Sequence, residues 1–131
     1  KHVLRDALYA NLPMTLHKVL FPEGLDLPAV LEAVHRSTAA QAFLASFAAP
    51  LAAHAEELHV HDLVASRFDA LARILARFFT MEQRRQGRAC GAVAWGFRAI
   101  LKEVLAQRGM QLTVAEPEPL PGLLRFHAKE L

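Results

Sequence analysis

The side chain best suited to chemistry in this sequence is His59, which follows the stretch Leu51-Ala-Ala-His-Ala-Glu-Glu-Leu58 and precedes Val60. A neutral imidazole can give one ring nitrogen to a metal while its other N–H bonds a carbonyl or carboxylate that fixes the ring. An iron macrocycle would need an apolar wall beside such a ligand, and the stripe Leu51, Ala55, Leu58 ends at this histidine. Phe68 lies nine residues further on and Trp95 another twenty-seven, each within a stretch of helical periodicity. The plainer reading is a half-buried histidine packed against the next helix.

Other candidate groups carry less. His59 and His61 could form a metal pair, but two-residue spacing suits a strand face, and no cysteine or close acidic cluster completes a tetrahedral set. His54 falls on the outer flank of its helix, and His2, His17 and His127 have no partner evident from sequence. Glu56 and Glu57 are neighbours and so diverge on a helix. There is no Gly-rich phosphate loop, no Gly-x-Ser-x-Gly and no carboxylate pair on one face, so nothing in the residues marks an enzyme acting on its own. The single cysteine, Cys90, excludes an internal disulfide, fits a reducing cytosol and reads as a small buried residue at the start of an apolar helix.

The totals narrow the class. With 131 residues, 53% of them hydrophobic, the chain can build one compact core. Fifteen Lys and Arg against thirteen Asp and Glu leave a net charge of +2, with no face basic enough for nucleic acid. The densest knot, Arg84, Arg85 and Arg88, sits among Gln83, Gln86 and Gly87 and reads as a solvated corner. No apolar run approaches the roughly 20 residues a bilayer requires, and the first residues form no signal core. A cytoplasmic location is one expectation; a start inside a longer protein, from the missing initiator Met, is another.

The elements that must position these residues read as helices throughout, since no stretch sustains a period-two alternation. Val3–Leu12 is one, stopped by Pro13, and Met14–Leu20 is the next, broken by Phe21-Pro-Glu-Gly24. Asp26 and Pro28 mark a start for a helix reaching about Ala48, interrupted or bent around Ser37-Thr38. Pro50 opens a shorter helix, His61-Asp62 a corner, and Ser66 caps a helix carrying Phe68, Leu71, Leu75, Phe78 and Phe79. After a polar break at Gln83–Gly87, a last long helix spans Arg88–Gln107 and closes at Arg108-Gly109. Three prolines make Val114–Pro121 extended, and Leu123–Leu131 regains a helical turn or docks on a partner. The sum is an all-α fold.

Three segments, Leu51–Val60, Arg67–Leu71 and Ala94-Trp95-Gly96, resemble the last three helices of globins of the bacterial single-domain and flavohaemoglobin type. In that family a His-Val pair is followed about ten residues later by an aromatic, and Ala-Trp opens the last helix's inner face. The resemblance covers roughly residues 50–107, with one residue fewer in the first corner. It weakens upstream, where Leu8-Tyr9, Pro13, Leu16 and Leu20-Phe21 are similar to the second globin helix and its corner phenylalanine at shortened spacings.

The resemblance implies a globin-like bundle of about six helices, its first helix short or missing, over residues 1–113, with a Pro-rich tail at 114–131. It implies haem b held by His59 as iron ligand, with Tyr9 as a distal tyrosine, Phe21 as the corner aromatic, Leu31 or His35 on the distal side, and Leu58, Phe68 and Trp95 around or behind the pocket. The implied function is binding or sensing a diatomic gas, oxygen or nitric oxide. Nitric oxide dioxygenation would need a separate reductase, because no flavin or nicotinamide segment is present. A signalling domain is the other implied partner. The competing expectation is a haem-free helical regulatory or interaction module, whose apolar excess serves a homodimer and whose His59 is a core residue.

Overall fold

The computed structural model describes residues 1–129. Contacts divide the chain into two compact units, Lys1–Leu63 and the stretch from Val64 onward.

The first unit is a set of short helices. Helix α1 (His2–Leu8) ends where Ala10 adopts a positive φ of 56°, letting Asn11 N–H reach Asp6 O at 2.8 Å and Ala10 N–H reach Ala7 O at 3.2 Å. That is a helix-closing turn which usually takes glycine. Helix α2 (Met14–Leu20) follows Pro13 directly. Helix α3 (Leu27–His35) is capped by the Asp26 carboxylate, which accepts the Ala29 N–H at 3.3 Å, and Pro28 sits in its first turn, where a missing N–H costs nothing. The chain then breaks around Ser37, whose hydroxyl accepts the Ala39 N–H, and resumes as α4 (Ala40–Ala45) and α5 (Ala48–Ala52). Pro50 stands third in α5 and does not open it. Leu16 (1% exposed) and Val60 (0%) are the best-buried side chains, beside Val3, Leu4, Val30, Phe47 and Leu51.

Helix α6 (Leu58–Phe78) gives its first turns to this unit and the remainder to the other. The expected corner at His61-Asp62 and cap at Ser66 do not occur. Between Leu58 and Phe78 there is neither glycine nor proline, so helical hydrogen bonding continues through polar residues that fit an outer face.

In the second unit, α6 is followed by a 3-10 turn at Gln83–Gln86, strand β1 (Gly87–Cys90), helix α7 (Ala92–Gly96), helix α8 (Arg98–Gln107), strand β2 (Leu112–Glu116) and helix α9 (Leu120–Ala128). Glu130 and Leu131, the end of the expected C-terminal turn, lie outside the described residues. The two strands are parallel, pairing Arg88 with Val114, Ala89 with Ala115 and Cys90 with Glu116. The protein is therefore mostly helical but not all-α, and the expected helix Arg88–Gln107 is a strand, a turn and two helices. Buried side chains here are Ala72, Phe97, Ile100, Leu101, Val104, Leu105 and Met110. Helix α8 closes as the sequence indicates: Gly109 has φ 71°, and Met110 N–H bonds Leu105 O at 2.9 Å. No helix among the described residues is long and apolar enough to cross a membrane.

Candidate functional site

The turn from β1 into α7 has a backbone that demands glycine. Gly91 has φ 112° and ψ 161°, a region that side chains other than hydrogen rarely enter. Its N–H donates to Glu116 O at 2.9 Å, closing the carboxyl ends of the two strands, and its own carbonyl accepts the Trp95 N–H at 3.0 Å. A Cβ at Gly91 would meet nothing within 4 Å, so the turn faces open space. In parallel α/β arrangements, ligands gather in the crevice beyond the carboxyl ends of strands, where the chain leaves the sheet for a helix.

The other end of β1 is fixed as firmly. Gly87 N–H donates to Gln111 O at 2.9 Å, Gln111 N–H to Arg84 O at 2.7 Å, and the Thr113 hydroxyl to Gly87 O at 2.9 Å. A Cβ on Gly87 would lie 2.8 Å from Gln111 O, so only glycine permits this approach. Ahead of it, Thr80 and Gln83 exchange hydrogen bonds between side chain and backbone, and Arg84 donates to the carbonyls of Ala76 in α6 and of Phe79 just past its end. Those carbonyls have no intrahelical donor, which is the need the guanidinium meets. A groove of about 680 Å³ runs along β1, walled by Phe68, Leu71 and Leu75 of α6, by Phe79 just after it, and by Val93 and Ala94 of α7.

Electrostatics in this unit centre on Asp69. Arg108 donates to both of its oxygens, at 2.8 and 3.1 Å, and Arg73 approaches to 2.8 Å. The Arg108 hydrogen bond holds the Asp69 carboxyl below its usual range. Arg98 stacks 4.2 Å above the Trp95 ring and donates to the Trp95 carbonyl at 2.8 Å.

The residues singled out by sequence are dispersed. Within the first unit, Tyr9, Leu31 and His35 line one groove of about 260 Å³, whereas Phe21 lines another of about 330 Å³. Phe21 instead joins a ring cluster, 5.7 Å from Phe47 and 5.4 Å from His17. Leu58 is 76% exposed and borders neither groove. His59 is the second residue of α6, and its Nε2, shielded from solvent, lies 3.3 Å from Asp6 Oδ2, within ion-pair range but out of line for a hydrogen bond. Asp6 also pairs with Arg5 at 3.2 Å. In the second unit, Phe68 walls the groove along β1, and Trp95 is 41% exposed in the short α7. Cys90, expected to be buried in a helix, is exposed on β1.

Sequence reasoning missed Gly87, Gly91 and Glu116. The available signal was Gly87 at the end of the polar break and Gly91 four residues on, inside the assumed helix, because such glycines often mark close backbone approach.

No protein-family model and no curated protein matches this chain. Among solved structures, the chain is similar to the crystal structure of a proposed N-acetylglucosamine kinase from Porphyromonas gingivalis, at 27% sequence identity and a TM-score of 0.83. The match covers 95% of this chain and 44% of that one, so the chain spans less than half the length of that structure.

This likeness overturns the globin reading, and with it the haem-dependent gas-binding function and the alternative of an all-helical interaction module. Physically, the globin pattern rested on His-Val, an aromatic and Ala-Trp at rough spacings, which an apolar helical chain can carry without the fold. The imidazole of His59 turns one nitrogen toward a carboxylate, Phe68 lies further along the same helix, and Trp95 follows a strand-to-helix turn that a helical bundle does not contain. The expected metal binding is corrected likewise: among the described residues, no three or more His, Cys, Asp or Glu side chains cluster to hold a metal ion.

Proposed function

We propose that this chain is part of a kinase for an N-acetylated amino sugar, and that its β1–Gly91–α7 turn faces the nucleotide. The observation that carries this reading is the likeness to the Porphyromonas protein across 95% of the chain. In the reaction, a sugar hydroxyl forms a bond to the γ-phosphorus of ATP, the bond from that phosphorus to the β-phosphate oxygen breaks, the hydroxyl loses its proton, and ADP leaves. Such transfer depends on positioning more than on covalent help from the protein.

The turn suits that task. Its glycine leaves room for a ligand to approach the main chain, it lies at the carboxyl end of a parallel strand, and the bond to Glu116 fixes its conformation before any ligand arrives. The chain's contribution is a preorganised wall of the nucleotide cleft.

Amide spectra recorded while ATP is added with magnesium test the reading. Shifts should concentrate at Cys90–Ala94 and saturate. Gly91→Ala places a side chain in the opening and strains the backbone by about 1–3 kcal/mol, so affinity should fall about fivefold or more. A wild-type chain whose 88–96 amides stay unmoved at millimolar ATP would contradict the proposal.

A further inference from the structure

We propose that Glu116 is a positioning residue that locks the Gly91 turn to helix α9, through an ion pair with Arg125 fitted against the bare backbone of Gly122. The inference rests on the nucleotide-facing reading of that turn. Glu116 is the last residue of β2 and the register partner of Cys90. Its carbonyl oxygen accepts the Gly91 N–H at 2.9 Å, so any shift of Glu116 is felt directly at the turn. Its carboxylate reaches the other way: Oε1 accepts from Arg125 Nη2 at 2.6 Å.

Gly122 explains how the carboxylate comes to lie there. The residue stands inside α9 and is not among the glycines with positive φ, so conformational freedom is not its use. A Cβ at that position would come within 3.0 Å of Glu116 Oε2, tighter than an ordinary contact. The missing side chain makes space for the carboxylate. Arg125, one helical turn further on, supplies the charge. Two residues of α9 thus converge on the one carboxylate of Glu116, whose own backbone holds Gly91. The pair is partly open to water, with Glu116 at 34% and Arg125 at 65% side-chain exposure, so its effect is modest and local.

The test compares wild type, Arg125→Met and Arg125→Lys, all with a changed side chain that is mainly exposed. Two quantities are measured for each: hydrogen exchange of the Gly91 amide without nucleotide, and the dissociation constant for ATP. Arg125→Met should speed exchange at Gly91 roughly fivefold and weaken ATP by a similar factor, the upper range for a solvent-exposed pair. Amides of α6 should not change. Arg125→Lys, which keeps a cation beside Glu116, should recover most of both losses. Exchange and affinity in Arg125→Met within experimental error of wild type would overturn the proposal, as would a lysine variant no better than methionine. Faster exchange with unchanged ATP affinity would reduce the pair to a structural contact and equally overturn the positioning role. Absence of ATP binding by the wild-type chain would instead bring down the nucleotide reading itself, and this role with it.

Discussion

The two units hold their chains in place by different means. In Lys1–Leu63, five short helices turn on local devices: the Asp26 cap, the Ser37 turn and the left-handed Ala10 each involve residues two to five apart. Apolar packing around Leu16 and Val60 closes the unit. From Val64 onward, distant backbone is tied directly. Gly91 binds Glu116, Gln111 binds Arg84, Thr113 binds Gly87, and Arg108 grips Asp69 across 39 positions. A turn held by several non-local hydrogen bonds can keep a strained glycine in one conformation. A turn set by neighbours and apolar contacts adjusts more readily. The proposed ligand wall belongs to the second unit, even though the first carries the histidine that draws the eye in the sequence.

Four substitutions would break or sharpen this contrast. The largest effect is expected from Leu16→Ala, which empties a fully buried site and should cost about 2–5 kcal/mol. Hydrogen exchange should report that loss across α1 to α3, and a cost under about 1 kcal/mol would show that side-chain packing does not close the first unit. Gly87→Ala comes next, at about 1–3 kcal/mol. Its methyl must push against Gln111 O, part of a backbone with little room to yield. Exchange of the β1 and β2 amides should accelerate, and the fluorescence of Trp95, the chain's only tryptophan, should report earlier unfolding in urea.

Ala10→Gly is expected to act in the opposite direction. It relieves a left-handed alanine and should stabilise the first unit by up to about 1 kcal/mol, visible as slower exchange in α1. Smallest is Asp69→Asn. Because Arg108 lowers the folded-state Asp69 pKa, this carboxylate contributes stability that is present above its unfolded value near 3.8 and is lost as pH falls through the lower folded value. The asparagine chain should therefore lose less stability than wild type as pH falls below the ordinary carboxylate range, in acid titrations followed by circular dichroism.

Much of the fold was legible where a residue type acts on its own neighbours. Pro13 and the Phe21–Gly24 break bound α2, Asp26 and Pro28 start α3, and Arg108-Gly109 end α8, because capping and helix termination are settled within a turn of chain. The sheet was not legible. Gly-Arg-Ala-Cys is too short to show a period, and it becomes a strand only because Leu112–Glu116 lies beside it. The surroundings of His59 were hidden for a related reason. His59 was chosen for its chemistry and apolar surroundings, but its partner Asp6 stands more than fifty positions earlier, and no spacing rule connects them.

The residues alone settled that this chain is largely helical and that its apolar content could bury a core, together with the bounds of α2, the start of α3 and the end of α8. Those properties depend on propensity, caps and periodicity over a few residues. Tertiary structure alone decided that Gly87–Cys90 is extended, that Gly91 is held open at the end of a parallel pair, and that Glu116 meets both Gly91 and Arg125. Each of these requires groups far apart in the chain to satisfy one another's hydrogen bonds, and the energy of such a bond exists only once the partner has arrived.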